Sequence, residues 1–447
     1  MESGGWALAE QQFRQALTFN PEFGESWANL GYVRSKAGDV NEAEQCYRKA
    51  ISFSGRLEEP HLLLGVLLMN QKRFIESEQI YRDYLQQRPD SAAAWSNLGV
   101  LLACLKRESE AELCYRTALN NDKSFKKASF SLSYILLRQE RWEEGWLCLE
   151  DRWQYPVLEN HFTCPRWHGE SLQGKSIIIG FEAGHGDMIF YSRYVSELKA
   201  KGVTHLAMIC HPGLKRLFKG LPGVDTLFSY TDAVPRSGWD YWTPPMSLPY
   251  YFQTRLDTIP APIPYLHAEP GLIEKWKVEL PNSSMRVGLV WKGNAAFEND
   301  DQRSLSSLNE LAPLRTVRGV HFISLQKGEG EAEVLHPPAG LTLQDLGSRV
   351  TDFADTAAIL QQLDLVITVD TAVAHLAGAM GKHCWVLLPD FKTDWRWLKE
   401  RSDSPWYPGH MRLFRQPDGG GWSSVINLVV DELKALIMNI HYSAQDE

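Results

Sequence analysis

The first third of the chain repeats itself every 34 residues. Trp27-Ala-Asn-Leu30-Gly31 returns as His61-Leu-Leu-Leu64-Gly65 and again as Trp95-Ser-Asn-Leu98-Gly99. A second set keeps step with it: Ala43, Tyr47 and Ala50 answer to Ala111, Tyr115 and Ala118, with Tyr81 between them. One such unit is a helical hairpin with an apolar face too large to bury alone, so the period dictates a stacked helical array. The small residues Gly31, Gly65 and Gly99 let the two helices of a hairpin approach closely, and the Trp and Tyr positions are expected to plug the gap between neighbouring units. The same period run backward reaches Ala9, Phe13, Ala16 and Pro21, which read as the last helix of a unit whose first helix is expected to be missing or trimmed away. A degenerate fourth pair, near Ser129 to Leu132 and Trp142 to Trp146, reads as a cap.

These residues and their spacing resemble the tetratricopeptide repeat over residues 1–152. The resemblance implies a curved solenoid whose concave face takes peptides or proteins. The alternative role for such an array is self-association, or stiffening of whatever follows it.

The whole chain has 447 residues, too many for one ordinary domain. Its formal charge of −9 argues against nucleic acid or an anionic membrane as the main partner, because either calls for a basic face. Met-Glu-Ser-Gly-Gly-Trp at the N-terminus lacks the basic and apolar regions of a signal peptide, and no apolar run reaches membrane-spanning length. A cytoplasmic protein is the expectation. The seven cysteines show no CxxC pair and no metal-ligand spacing, so they are expected to be reduced packing residues.

Between Arg152 and Lys175 the helical period stops, in a run of aromatic and turn residues that begins Trp153-Gln-Tyr-Pro156. From Ser176 strands alternate with helical segments, the signature of βαβ units and a parallel sheet. Ile259-Pro-Ala-Pro-Ile-Pro264 interrupts the rhythm as an extended connector, after which the alternation restarts at Arg286. The reading is an α + α/β chain: the repeat array at 1–152, one α/β half at 153–265, and a second at 266–447. A helical segment is expected at Ser306 to Val317, and a final helix, about Ser423 to Asn439, crosses back to the first half in this reading.

The stretch with most chemical content is Asp364-Leu-Val-Ile-Thr-Val-Asp370-Thr371-Ala372-Val-Ala-His375. It reads as strand, tight turn and helix, with Asp370 as N-cap and the first helical amides facing outward. Ligands in open α/β sheets bind beyond the carboxyl ends of strands, and a helix N-terminus there suits a phosphate. Thr371 and His375 share one helix face beside those amides. A capped core helix that binds nothing has the same pattern. After the first strand, Gly184-His185-Gly186-Asp187 forms a loop of little bulk, with Asp187 either a general base or a favourable charge on a helix end. Lys292 and Arg303 are candidates for diphosphate, and Gln326 and Lys327 for a nucleotide base. Asp394 and Arg396, with Trp395, Trp397, Trp406 and Tyr407, are candidates for a stacking wall.

Taken together, Gly186-Asp187, Lys292, Arg303 and Asp370-Thr371-Ala-Val-Ala-His375 resemble the motifs of heptosyltransferase-like glycosyltransferases (family 9). The layout as a whole looks like bacterial counterparts of protein O-linked N-acetylglucosamine transferases. The resemblance implies a GT-B module of two Rossmann-like domains using a nucleotide-diphosphate sugar, with no cofactor and no metal. It implies Asp187 as catalytic base, Thr371, His375 and the nearby amides on the diphosphate, Asp370 on donor-sugar hydroxyls, and Lys292 or Arg303 on the leaving group. Two positions depart from the family pattern: Ala372, where glycine is common, and His185, where an apolar residue is usual. Two rivals remain: a non-catalytic scaffold with a degenerate GT-B module, and a transferase acting on a lipid or polysaccharide.

Overall fold

A computed structural model of the chain describes residues 3–152, 159–260, 263–280, 285–297 and 299–443. The chain divides into two compact units, Met1–Ile135 with Cys148–Trp153, and Leu136–Leu147 with Gln154–Glu447.

The first unit is a run of helical hairpins. A single helix α1 (Ser3–Phe19) precedes α2 (Gly24–Lys36) with α3 (Val40–Phe53), α4 (Glu58–Asn70) with α5 (Phe74–Gln87), and α6 (Ala92–Cys104) with α7 (Glu108–Asn121). Helices α8 (Lys126–Arg138) and α9 (Trp142–Leu149) follow, with Leu136–Leu147 of this last pair belonging to the second unit. Gly31 and Gly99 are required for contact: a Cβ at either would stand 2.6 Å from the ring of Tyr47 or Tyr115, and Gly65 meets Tyr81 in the same way. The tyrosines therefore fill the gap inside their own hairpin, and Tyr47 also packs against Leu64, Leu67 and Leu68 of the next repeat, as expected of a residue that plugs the space between repeats. The tryptophans make the link between units, since the indole N–H of Trp27 and of Trp95 donates to the carbonyl of Pro21 (2.7 Å) and Pro89 (2.9 Å) at the end of the preceding unit.

The solvent side of the second helices carries an ion-pair ladder with the same period. Arg14, Arg48, Arg82 and Arg116 pair with Glu10, Glu44, Glu78 and Glu112 four residues back. Rungs between units follow, at 2.6 Å for Arg73–Glu44 and 2.7 Å for Arg107–Glu78.

Residues 136–147 pack with the second unit, while Cys148–Trp153 belong to the first. The cause is aromatic. Trp142 and Trp146 stack at 5.7 Å and lie edge-on to Trp395 and Trp406, and the Trp146 indole donates to the Thr254 carbonyl at 2.8 Å. The join expected at Trp153 to Pro156 lies outside the described residues.

The second unit holds two parallel sheets. In the first, β1 (Ser176–Ile179), β2 (His205–Cys210), β3 (Thr226–Ser229) and β4 (Tyr241–Thr243) are ordered β3-β2-β1-β4. Helices α10 (His185–Tyr191) and α11 (Tyr194–Ala200) follow β1, and α12 (Lys215–Phe218) follows β2. Helix α13 (Pro270–Lys277) leads to the second sheet of β5 (Arg286–Val290), β6 (His321–Ser324), β7 (Leu343–Asp345), β8 (Leu365–Val369), β9 (Cys384–Leu388) and β10 (Met411–Arg415). Their order is β10-β9-β8-β5-β6-β7, the doubly wound arrangement in which strand order reverses between β5 and β8. Every residue of β8, Leu365-Val-Ile-Thr-Val369, is buried, as a central strand covered on both faces requires.

Further helices are α14 (Asp300–Arg303), α15 (Phe353–Leu360), α16 (Ala372–Ala379) and α17 (Ser423–Ser443), besides a single turn at Leu248–Tyr251. Helix α17 packs Ile426, Val429, Val430 and Leu433 into the core of the second sheet itself, with Val287, Leu289 and Ile367. Its apolar side is consumed there, so it does not cross back to the first sheet. The helix expected at Ser306 to Val317 is a 3₁₀ segment (Leu308–Thr316), because Pro313 inside it has no N–H to give. Within the proline-rich connector, 261–262 lie outside the described residues, and just beyond it Tyr265 N–H donates to the Ala379 carbonyl at 2.9 Å.

Charge pairs join the two sheets. Arg216 on α12 reaches Asp352 and Asp355 on the other half, each at 2.8 Å. Burial opposes the charge on Asp355, yet bonds from Thr351 and Trp276 and the charge of Arg216 hold its carboxyl below the usual range. Arg193 is fully buried and donates to the Trp406 carbonyl and the Tyr265 hydroxyl, both at 3.1 Å. No disulfide joins the seven cysteines, and Cys46, Cys114, Cys210 and Cys384 are buried. Among the described residues no helix is long and apolar enough to cross a membrane.

Candidate functional site

The strand order reverses between β5 and β8, whose carboxyl ends carry the loops Trp291-Lys292-Gly293 and Asp370-Thr371, the position at which open α/β sheets bind ligands. Helix α16 starts there. Its N-cap is Thr371, one residue later than expected, and no side chain caps it. The Thr371 hydroxyl is shared instead with Thr368 at 3.0 Å. Asp370 is not the cap because its carboxyl is drawn into a cluster of charges. Burial and the neighbouring Asp394 push its pKa up to about 6, against the pull of Arg303, the Trp397 indole and Arg396.

Four residues along, His375 is buried against Trp397, with rings 5.3 Å apart and nearly parallel, and shares a 2.9 Å hydrogen bond with the Tyr407 hydroxyl. Burial, then the charges of Arg396, Arg193 and Arg303, hold it well below the usual histidine value, so the imidazole is neutral near pH 7. Three guanidinium groups thus act on His375, in the first turns of a helix whose first amides lack intrahelical partners.

From the first sheet, helix α10 meets this end directly. A Cβ at Gly186 would fall 2.9 Å from His375 Cδ2 and 3.3 Å from Ala372 Cα, so glycine is what permits the approach. Asp187 comes one residue later. Its Oδ2 accepts from the Gly184 amide at 2.9 Å, and its Oδ1 meets Arg396 Nη2 at 2.5 Å. Of the two roles considered for Asp187, the favourable charge at a helix start is the one these bonds describe. Arg396 is only 5% exposed. Its Nη1 pairs with Asp394 at 3.0 Å, its Nη2 also reaches the Tyr191 hydroxyl at 3.2 Å, and its plane lies over Phe190 and Trp395. Asp394 caps the turn carrying Arg396 by accepting from its amide at 2.9 Å.

The structure therefore gathers Gly186, Asp187, Asp370, Thr371, Ala372, His375, Asp394 and Arg396 into one place. Arg303 joins them through its electrostatic reach to Asp370 and His375, while its Nε bonds Asp300 at 2.9 Å and its head lies over Phe297. Three expected residues face elsewhere. Lys292 points its ammonium to Glu333 at 2.7 Å. Gln326 is buried and spends its amide inside the fold, with Oε1 accepting from the Trp291 and Lys292 amides and Nε2 donating to the Lys292 and Glu329 carbonyls. A nucleotide base would find no free group on it. Lys327 donates to the Ser348 carbonyl at 3.0 Å and faces Glu331.

The expected stacking wall is also corrected. Trp395, Trp397, Trp406 and Tyr407 are at most 1% exposed and form core under the site, because α9 covers Trp395 and Trp406 and His375 covers Trp397. Sequence reasoning missed Tyr191 and Phe190 as supports of Arg396. Tyr191 stands four residues from Asp187 on the same helix face, which was the available signal. Nearby, His185 stacks on His211 at 4.2 Å, and burial with that neighbour lowers its pKa to about 4. Among the described residues no group of three or more His, Cys, Asp or Glu is arranged to hold a metal ion.

Comparison with known proteins identifies the first unit. Residues 24–55 and 62–123 match tetratricopeptide repeat family models. A curated relative, Protein FlbA of Caulobacter vibrioides, is 27% identical over 322 residues, covering 65% of this chain and 52% of that protein. The chain thus spans about half the length of the curated relative it matches. Similar solved structures include PilF of Pseudomonas aeruginosa, 18% identical with TM-score 0.34, covering 48% of this chain and 86% of that one. MamA from Desulfovibrio magneticus is 15% identical with TM-score 0.29, covering 35% and 87% respectively. YrrB, described as a repeat protein with an unusual peptide-binding site, is 16% identical with TM-score 0.28, covering 31% and 72%. The tetratricopeptide repeats mark the chain as carrying a protein-interaction scaffold.

Proposed function

We propose that the chain is a cytosolic glycosyltransferase with the GT-B layout, moving a sugar from a nucleotide diphosphate to a hydroxyl of a protein recruited by the repeats. In this reading the diphosphate lies against the first amides of α16, beside Thr371 and Ala372, with Arg303 and Arg396 as the neutralising cations. Asp370 takes hydroxyls of the donor. Asp187 accepts the proton of the acceptor hydroxyl as that oxygen bonds the anomeric carbon, and the bond from that carbon to the diphosphate breaks with its electron pair leaving on the diphosphate. Lys292 and Gln326 shape the loop beyond β5 and make no ligand contact.

The observation that supports this reading best is the contact through Gly186, which brings a carboxylate from one parallel sheet to the switch point of another. The test is incubation of the full chain with ADP-, UDP-, GDP- and dTDP-sugars and the proteins that co-purify on the repeats, read by mass spectrometry. Asp187→Ala should reduce transfer by about a hundredfold or more while nucleotide binding persists. Full transfer in that variant removes Asp187 from the mechanism.

One observation favours the scaffold reading instead: both oxygens of Asp187 are already engaged, by an amide and by Arg396. A scaffold with a dead site gives no heat with any of the four donors and no donor hydrolysis.

A further inference from the structure

Arg396 occupies an unusual position for a structural arginine. It is buried, yet Asp394 and Asp187, both paired with it, differ sharply in role. Asp394 is two residues away and caps the same turn, so it moves with Arg396. Asp187 belongs to the other sheet, is 209 residues away and keeps a quarter of its side chain exposed. The turn bearing Arg396 is fixed from below by Trp395, which rests against Trp146 at 5.1 Å, and by Trp397 under His375. The guanidinium is therefore held by its own turn and only lent to Asp187. Its charge already acts on both Asp370 and His375 at the start of α16.

We propose that Arg396 is a positioning residue that exchanges partners: it neutralises Asp187 in the ligand-free site and turns its Nη2 to a diphosphate arriving at the N-terminus of α16, which releases Asp187. The inference rests on the diphosphate reading above. Its physical basis is that a guanidinium fork pairs with phosphate oxygens as well as with a carboxylate, and the diphosphate carries more charge than the one carboxylate it displaces. Asp394 stays on Nη1 throughout and limits the movement to a rotation of the head group. Anion binding and release of Asp187 become one event, so the carboxylate is bared only when a donor is present.

The test is a double-mutant cycle on binding, using the full chain and calorimetry with inorganic pyrophosphate, ADP and UDP as probes. Asp187→Asn frees Arg396 from its competitor and should tighten binding by about tenfold, within the range usual for coupled sites. Arg396→Gln should weaken binding, and adding Asp187→Asn to it should then give no gain, because the gain passes through the guanidinium. A gain of the same size in both backgrounds means that Asp187 only repels the anion, and overturns the exchange while leaving the diphosphate reading intact. No gain in the single variant overturns it too. Should Arg396→Gln fail to fold, Arg396→Lys keeps the charge without the fork, and the gain should shrink there. If neither the wild type nor Asp187→Asn takes up any of the three probes, the diphosphate reading falls and the exchange falls with it.

Discussion

Asp370→Asn should make the ligand-free protein more stable at pH 8 and leave it unchanged near pH 4. Asp370 titrates at about 6 in the folded chain, against an ordinary value of 3.8, because burial and Asp394 oppose its charge more than Arg303, Trp397 and Arg396 favour it. Between those two values the unfolded chain has already lost the proton that the folded chain keeps. Stability therefore falls as pH rises through that window and stays reduced above it. A displacement of about two units corresponds to about 3 kcal/mol at pH 8, and to almost nothing below the ordinary value. Asparagine has nearly the same shape and carries no charge, so it removes the cost of burying the carboxylate.

The assay is urea unfolding of wild type and variant, followed by tryptophan fluorescence, since the buried tryptophans around Trp395 report on this unit. The midpoint should rise in the variant at pH 8 with an unchanged slope, and the two curves should converge near pH 4. A variant that is less stable at pH 8, or equally more stable at both pH values, refutes the reasoning.

Two further outcomes follow from the packing. Trp146→Ala removes a buried indole and strands the Thr254 carbonyl, so it should cost about 3–5 kcal/mol for the cavity and about 1–3 kcal/mol for the carbonyl. A loss below about 1 kcal/mol in urea unfolding would show that α9 is dispensable to the second unit. Arg73 bridges Glu44 and Glu76 on the outer ladder, and Arg73→Gln should lower the thermal midpoint of the array in low salt, with the difference shrinking in about 1 M NaCl as the Debye length falls to about 3 Å. A salt-independent difference would mean that the arginine stem, and not its charge, holds the units.

What could be read in the sequence was what is written locally. The hairpins were legible because Gly31 and Tyr47 recur with their partners at a constant period, and the start of α16 because strand, turn and helix follow one another within a dozen residues. Charge pairing is not local, and there the reading failed. Lys292 ends a strand like a phosphate ligand, but Glu333 reaches it from a short 3₁₀ turn that has no periodic signature. Gln326 has the composition of a base contact, yet the loop it closes lies on its own side of the sheet. The tryptophans after β9 look alike as wall or as core, and Trp142 and Trp146, over 240 residues earlier, decide for core. A helix end offers its amides whatever surrounds it, so backbone features of the site survive translation from sequence. The side chains that tune those amides are set by partners across the sheets, which is why the Asp187–Arg396 pair, invisible in either motif alone, is the contact on which the proposed chemistry turns.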